Sequence, residues 1–336
     1  MTTLNHQFRL ARRPVGLAQR SDFDYGATPL QAPTQGQVQV QVAYVSIDPA
    51  MRGWVSDSED LYDTPVAIGD VMRAVAVGRV TASQHPRFAV GDSVAGILGV
   101  EEYSIVSGDN LRKIDPALAP LPTFLNALGM PGITAYFGLL EAGQPRAGET
   151  VVISGAAGAV GSLVGQIAKI KGARVIGIAG GADKCRMLTE ELGFNAAIDY
   201  KREDVAAALR QHAPKGVDVF FDNVGGAVLD AVLLRLAVGA RIVICGAISQ
   251  YNNVGPTTGP ANILQLVVKR ATMRGILVRD YAPRALEAAT AMVGWLASGQ
   301  LKAREDVVVG LEHFPETFQR LFDGSHNGKL MLQVAV

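Results

Sequence analysis

The densest chemistry in the chain lies in a run of small residues, Val151-Val152-Ile153-Ser154-Gly155-Ala156-Ala157-Gly158-Ala159-Val160-Gly161. Three glycines spaced G-x-x-G-x-x-G stand between an apolar strand and a helical pattern. Gly155 can turn the chain tightly. Gly158 has no Cβ, so a pyrophosphate can lie against the backbone there. Gly161 lets the helix pack closely on the strand. The N–H groups that open the helix then face the phosphates. This spacing predicts dinucleotide binding; the alternative is glycines that serve packing alone.

The end of the next strand bears on which dinucleotide. A site for NAD usually carries Asp or Glu there, about 20 residues after the glycines, to bond the ribose hydroxyls. Here Val175-Ile176-Gly177-Ile178-Ala179 runs into Gly180-Gly181. The glycines leave room for a 2′-phosphate, and Lys184 supplies a charge nearby. Asp183 is an acidic neighbour that argues the other way, and Lys184 read alone is an ordinary solvated helix residue. The balance favours NADP.

Metal chemistry finds little support. The five histidines (His6, His85, His212, His313 and His326) are scattered, with no i, i+4 pair, and there are two cysteines, Cys185 and Cys245. Catalytic zinc takes about three protein ligands, usually imidazole or thiolate. No metal is expected, and a disulfide framework is excluded. Without a metal, reduction of a carbon–carbon double bond conjugated to a carbonyl is the easier hydride chemistry. Charge collects on one oxygen, where one or two hydrogen-bond donors can hold it. The neighbouring carbon then takes a proton from a weak acid or water.

Two kinds of texture must position these residues. From the start to about residue 125 the chain alternates short strand patterns with turn signals. Examples are Gln37-Val38-Gln39-Val40-Gln41-Val42, Ala74–Val80, Ser93–Ile97 and Tyr103–Val106. They suggest a small antiparallel barrel. From about residue 150 strands and helices alternate. Strands are expected at Val151–Ser154, Ala173–Ala179, Ala196–Ile198, Val217–Phe221, Arg241–Gly246 and Met273–Val278. Helices are expected at Val160–Lys171, Lys184–Leu192, Ala227–Leu236, Ala261–Lys269 and Pro283–Ala297. Such alternation argues for a doubly wound parallel sheet. The uncharged stretch Val151–Ala168 mimics a membrane span, but its glycines and Ser154, Ser162 and Gln166 read as strand, turn and helix.

The whole-chain numbers agree. With 336 residues, of which 49% are hydrophobic, the length prior of about 150 residues per domain gives two domains. Lys+Arg and Asp+Glu are 31 each, so the electrostatic footprint of a nucleic-acid or membrane-surface protein is missing. The first twenty residues hold Arg9, Arg12, Arg13 and Arg20 and no apolar core of an export signal. A cytoplasmic protein is expected.

A glycine-turn domain after a β-rich domain resembles the medium-chain dehydrogenase/reductase superfamily over essentially the whole chain. Zinc members carry an early Cys ligand, a Gly-His-Glu segment and often a run of four Cys; the corresponding segment here is Ile68-Gly69-Asp70-Val71. Within the superfamily the sequence is similar to the zinc-independent branch of leukotriene dehydrogenases/prostaglandin reductases, alkenal double-bond reductases and bacterial curcumin reductases. Residues 44–53 (Tyr44-Val45-Ser46-Ile47-Asp48-Pro49-Ala50-Met51-Arg52-Gly53), Gly129–Gly138, Ala157–Gly161, Asp222–Gly226 and Cys245–Asn252 carry this resemblance.

The resemblance implies an α/β fold, a Rossmann domain over residues 126–299 that binds NADP, and a GroES-like β-barrel-type domain over 1–125, completed by the tail 300–336. It implies that Gly158, Ala159, Val160 and Gly161 line the pyrophosphate, and that Gly181, Lys184 and Tyr200 lie at the 2′-phosphate. Asn223 would contact the ribose side. Cys245, Gly246, Ala247, Ile248, Ser249 and Tyr251 would run along the nicotinamide half. The backbone of Ile276, Leu277 and Val278 would bond the carboxamide, and Asn327 would reach the cofactor from the tail. Tyr44 and Tyr251 are the candidate donors to a substrate oxygen. Plainer readings stand beside these. Tyr200 ends a strand, Asn223 opens a turn, Cys245 is a small buried hydrophobe, and Arg52 pairs with Asp48.

The implied activity is NADPH-dependent reduction of the double bond of α,β-unsaturated aldehydes and ketones by a homodimer. The alternatives are an NADPH:quinone reductase of the same superfamily and a non-catalytic NADPH-binding regulator. Ala50 after Pro49 and Arg279 after Val278 depart from the aromatic residues common in relatives, so no relative's substrate preference transfers.

Overall fold

A computed structural model describes residues 3–57 and 63–335. The chain divides into two compact units. One runs up to Leu125 and resumes at Glu305; the other is Asn126–Arg304.

The first unit opens with β1 (Leu4–Leu10) and β2 (Phe23–Pro29), an antiparallel pair that the sequence periodicity leaves unmarked. Next come β3 (Gln37–Ser46), the short helix α1 (Ala50–Trp54), β4 (Arg73–Ser83), β5 (Ser93–Gly99), β6 (Tyr103–Ser107) and β7 (Leu111–Lys113). In β3 the alternation is literal: Val38, Val40 and Val42 are fully buried, and the glutamines between them are partly exposed.

The second unit carries α2 (Met130–Phe137), β8 (Thr150–Ser154), α3 (Ala159–Ile170), β9 (Arg174–Ala179), α4 (Ala182–Arg186), β10 (Ala196–Asp199), α5 (Val205–His212), β11 (Val217–Asp222), α6 (Gly226–Leu233), β12 (Leu236–Ile244), α7 (Gln265–Lys269), β13 (Thr272–Gly275) and α8 (Ala285–Ala297). The six strands are parallel throughout, in the order β10-β9-β8-β11-β12-β13. This is the doubly wound arrangement, with its reversal of direction between β8 and β11. Val152, Ile176, Ile198, Phe220 and Ile242 form a fully covered layer, as a sheet flanked on both faces requires.

Several elements differ from the sequence reading: α5 is absent from it, the helix expected over Lys184–Leu192 is α-helical only over Ala182–Arg186, the strand expected over Arg241–Gly246 spans Leu236–Ile244, and three further boundaries move. The helix expected to run to Leu236 stops at Leu233, and Leu236 already pairs with Val217. Its apolar residues suit either state. What decides is a register shift between Val217 and Val219, with Gly239 at φ +76°. The helix expected from Ala261 begins at Gln265. Asn262 is held out of it, donating its N–H to Asp230 Oδ1 (3.0 Å) and its amide to the Asp230 carbonyl (3.1 Å). The last strand ends at Gly275 instead of Val278, and Val278–Arg284 form 3₁₀ turns.

The chain then returns to the first unit as β14 (Glu305–Val309), α9 (Phe314–Asp323) and β15 (Lys329–Gln333). β15 pairs antiparallel with β3 and parallel with β14. The seven-stranded sheet (β14-β15-β3-β4-β5-β7, with β6 on β3) is therefore mixed, where the sequence suggested a wholly antiparallel one. α9 buries Phe314, Phe318 and Leu321, which fall on one face at helical spacing, in the same core as Phe8, Val40 and Met51.

Lys329 is 1% exposed. Its ammonium donates to the Ile47 carbonyl (2.8 Å) and to Asp48 Oδ1 (2.7 Å), and the Ser46 hydroxyl donates to Asp48 Oδ2. This ion pair pins the tail strand to the segment that opens α1. Arg52 gives its guanidinium to the carbonyls of Pro14 and Gly16; the ion-pair partner of Asp48 is Lys329.

Candidate functional site

In the second unit the strand ends come together along one edge of the sheet. β8, fully buried, runs into Gly155, whose φ of +57° only glycine adopts cheaply. Gly158 caps α3. A Cβ built on it would meet only the Gly155 carbonyl, at 3.2 Å, so its outer face is open to a ligand. A Cβ on Gly161 would lie 2.4 Å from the Gly155 oxygen and 2.8 Å from Ala156 Cα, so this glycine is what lets helix and turn touch. The N–H groups of Ala159, Val160 and Gly161, in the first turn of α3, have no intrahelical acceptor. They are the donors an anion needs.

Beside this turn β9 ends at Ala179, followed by Gly180 and Gly181. Gly181 has φ +101° and open space where a Cβ would be. Lys184 lies in α4 and Tyr200 directly follows β10. Asp183, the acid that weighed against a phosphate here, is neutralised by an ion pair with Arg186. Asp199 is 6% exposed and accepts the Gly181 N–H at 2.8 Å. The sequence reading passed over Asp199; an acid closing an otherwise apolar strand was the available signal.

On the other side of the switch point lies a buried knot. Asp222 accepts the Ser154 hydroxyl at 2.6 Å and the N–H groups of Val224 (3.0 Å) and Gly225 (3.1 Å). Burial pushes its carboxyl above the usual carboxylate range, against the pull of these donors. Asn223 donates its side-chain amide to the Ser154 carbonyl at 2.7 Å and its N–H to the Ser154 hydroxyl at 2.8 Å. The ends of β8 and β11 are thus tied together. Cys245 and Gly246 donate their N–H groups to the Asp222 carbonyl, and Ile248 donates to the Asn223 carbonyl. Ser249 gives its hydroxyl to the Val224 carbonyl at 2.6 Å. These bonds set Cys245–Ser249 alongside Asp222–Val224. Ile276 bonds back to the Ile244 carbonyl at 3.1 Å, which starts the Ile276–Val278 segment next to them.

Tyr251 lies over this segment. Its hydroxyl accepts the Ala247 N–H at 3.2 Å and would sit 2.9 Å from a Cβ on Gly246. Burial, then the nearby Cys245 and Asp222, raise its pKa above that of an ordinary phenol. At neutral pH it is therefore protonated; its oxygen accepts one hydrogen bond, and among the described residues no acceptor takes its proton. The Cys245 thiol is pushed up to about 12 by burial and Asp222, and Cys185 to about 11 by burial, Asp199 and Glu203. Neither is a thiolate nucleophile at neutral pH.

The remaining two candidates lie in the first unit. Tyr44 is partly exposed in β3, opposite Val77 and Gln333. Asn327 donates its N–H to Asp306 at 3.1 Å, while its amide oxygen is buried with no hydrogen-bond partner. Such an orphan acceptor is costly unless something donates to it. Among the described residues no group of three or more His, Cys, Asp and Glu is placed to hold a metal ion, and no helix is long and apolar enough to cross a membrane.

Residues 6–114 match a family model described as the N-terminal domain of oxidoreductase, and residues 159–295 match one described as zinc-binding dehydrogenase. The chain is 43% identical to the NADPH-dependent curcumin reductase of Escherichia coli, over 98% of this chain and 97% of that protein. It is 40% identical to a 2-alkenal reductase (NADP(+)-dependent) of Nicotiana tabacum, over 98% of each. Among solved structures, CurA from Vibrio vulnificus in complex with NADPH superposes with a TM-score of 0.93 at 42% identity, over 98% of this chain and 99% of that one.

Proposed function

The chain belongs to the zinc-independent branch of the medium-chain dehydrogenase/reductases, and from that premise we propose that it is an NADPH-dependent reductase of α,β-unsaturated aldehydes and ketones. What carries the reading is full-length likeness, at 40% identity or more, to relatives named for curcumin and 2-alkenal reduction.

The residues present suit the cofactor. Gly158 leaves an open backbone cradle, and the first turn of α3 offers unengaged donors for a pyrophosphate. Gly181 leaves open space where Lys184 and Tyr200 would hold a 2′-phosphate, and the bare face of Gly180 lets the Tyr200 ring lie against the turn. Asn223, Cys245–Tyr251 and Ile276–Val278 would follow along the ribose and nicotinamide, and Asn327 would offer its orphan oxygen. When bound, NADPH supplies a hydride, which an enone accepts at the carbon β to its carbonyl.

The protein's task is then electrostatic. Negative charge collects on the substrate oxygen, and a phenol that stays protonated is the right donor for it. Tyr251 has that property, and Tyr44 is the second candidate. The α-carbon takes its proton from a weak acid or from water.

The test is steady-state oxidation of NADPH with a simple alkenal, an enone and a benzoquinone. Turnover of the alkenal and enone is expected. Turnover of the quinone alone would move the protein to the quinone reductases, and tight NADPH binding without any turnover would make it a non-catalytic binder. Lys184→Ala should raise the KM for NADPH about tenfold and that for NADH much less, since it removes the positive charge that a 2′-phosphate would meet. An equal rise for both would remove the basis of the NADP assignment. Tyr251→Phe should lower kcat by about ten- to a hundredfold, a larger effect than any on the affinity for NADPH. If kcat holds in that variant and falls in Tyr44→Phe, the donor is Tyr44.

We also read the protein as a cytoplasmic homodimer. Both cysteines are free, which suits a reducing compartment. β13 is the outer strand of its sheet and is largely exposed, and Leu264 and Val267 beside it are 72% and 74% exposed. An open edge flanked by apolar side chains invites strand pairing, and a second copy offers the same edge. Sedimentation equilibrium should give twice the chain mass; a monomer would leave this surface unaccounted for by self-association.

A further inference from the structure

We propose that Lys201 is a second cation for the 2′-phosphate of NADPH, so that discrimination against NADH is shared between two lysines. The inference rests on the reading of Lys184 and Tyr200 given above and extends it to a residue outside that set.

The geometry starts from the sheet. β9 and β10 are parallel neighbours with Ala179 opposite Asp199, so the Gly180-Gly181 turn and the Tyr200-Lys201 turn leave the sheet side by side. One carboxylate ties them. Asp199 Oδ1 accepts the N–H of Gly181 at 2.8 Å and that of Lys201 at 3.1 Å, and Tyr200 donates its N–H to the Ala179 carbonyl at 3.1 Å. Asp199 is itself held, its N–H going to Glu203 Oε1 at 2.7 Å.

The side chains then fold back over the first turn. A Cβ on Gly180 would lie 2.9 Å from Lys201 Cε, 2.9 Å from Tyr200 Cε1 and 3.0 Å from Tyr200 Cζ. The phenol ring and the lysine stem both cross the bare face of Gly180, and Lys201 Nζ is one bond beyond that contact. Among the described residues no carboxylate or carbonyl engages that ammonium. Asp183, the acid on the adjoining turn, is already paired with Arg186. An ammonium held by its stem over a glycine, next to the phenol read as a phosphate ligand, lacks only an anion.

The chemistry selects the occupant. A ribose 2′-phosphate is doubly charged near neutral pH and offers three acceptor oxygens; the 2′-hydroxyl of NADH offers neither charge. A flexible ammonium serves such a group as a point charge, with no need for a planar fork.

The test measures binding without turnover. Calorimetry of the whole protein with adenosine 2′,5′-bisphosphate and with adenosine 5′-phosphate isolates the extra phosphate. Lys201→Ala should weaken the bisphosphate by about five- to tenfold and leave the monophosphate unchanged, and Lys201→Arg should restore most of the loss. A bisphosphate affinity kept within about twofold in Lys201→Ala, while Lys184→Ala loses it, would overturn the role of Lys201 alone. Equal weakening of both nucleotides would mark Lys201 as structural and overturn it as well. If neither lysine variant separates the two nucleotides, the underlying assignment of this turn to the phosphate fails, and the inference goes with it.

Discussion

Gly158→Val should abolish binding of NADPH and NADH alike, by about a hundredfold or more, while the protein stays folded. The backbone at Gly158 is extended, with φ −82° and ψ 178°, a conformation open to any residue. A Cβ there touches only the Gly155 oxygen, at 3.2 Å, which needs a shift of a few tenths of an ångström. The chain therefore tolerates the side chain, and the branched methyls fall where a pyrophosphate would lie. Gly161→Ala is the contrast. Its Cβ would lie 2.4 Å from the Gly155 oxygen, so it should cost stability, by about 1–3 kcal/mol as overpacking does. Fluorescence titration with both cofactors, beside the Tm of each variant, separates the two roles. Undiminished cofactor affinity in folded Gly158→Val would show that this glycine serves packing.

The largest effect on stability is expected at the opposite end of the sequence. Lys329→Met leaves the Asp48 carboxylate, 6% exposed, without its cation. Removing one partner of a buried pair costs about 3–5 kcal/mol, and Tm should fall by about 10 °C in a unit of this size. The hydroxyl of Ser46 remains on the carboxylate but carries no compensating charge. Adding Asp48→Asn to Lys329→Met should recover a good part of the loss, because the orphaned charge is then gone. Denaturant unfolding of both singles and the double closes the cycle. A single-variant cost below about 1 kcal/mol would show a pair open to water, of the kind that contributes little.

These two cases mark what could be read from the sequence. The glycine turn obeys a local rule: strand, three spaced glycines and helix fall within about a dozen residues, and each glycine's role follows from its position. The alternation of strands and helices was equally plain, and with it the parallel sheet. The end of α6 was not, since the apolar residues around Leu233 and Leu236 suit helix and buried strand alike, and pairing with Val217 decided between them. The link between Lys329 and Asp48 spans 281 positions, a partnership that no window of sequence reveals. The clamp made by Asp199 escaped for a related reason: its two donors, Gly181 and Lys201, belong to turns after different strands, and only the parallel register brings them together.

The discontinuous first unit has a consequence for how the protein comes into being. β3 needs β15 beside it, yet all of Asn126–Arg304 is synthesised between them. On the ribosome the nucleotide unit has every strand it requires while its neighbour still lacks an edge and the aromatic cover of α9. The half-built sheet must wait with Val40 and Phe8 uncovered, the period of greatest exposure to chaperones and to aggregation. Truncation just before Glu305 would make that waiting state permanent.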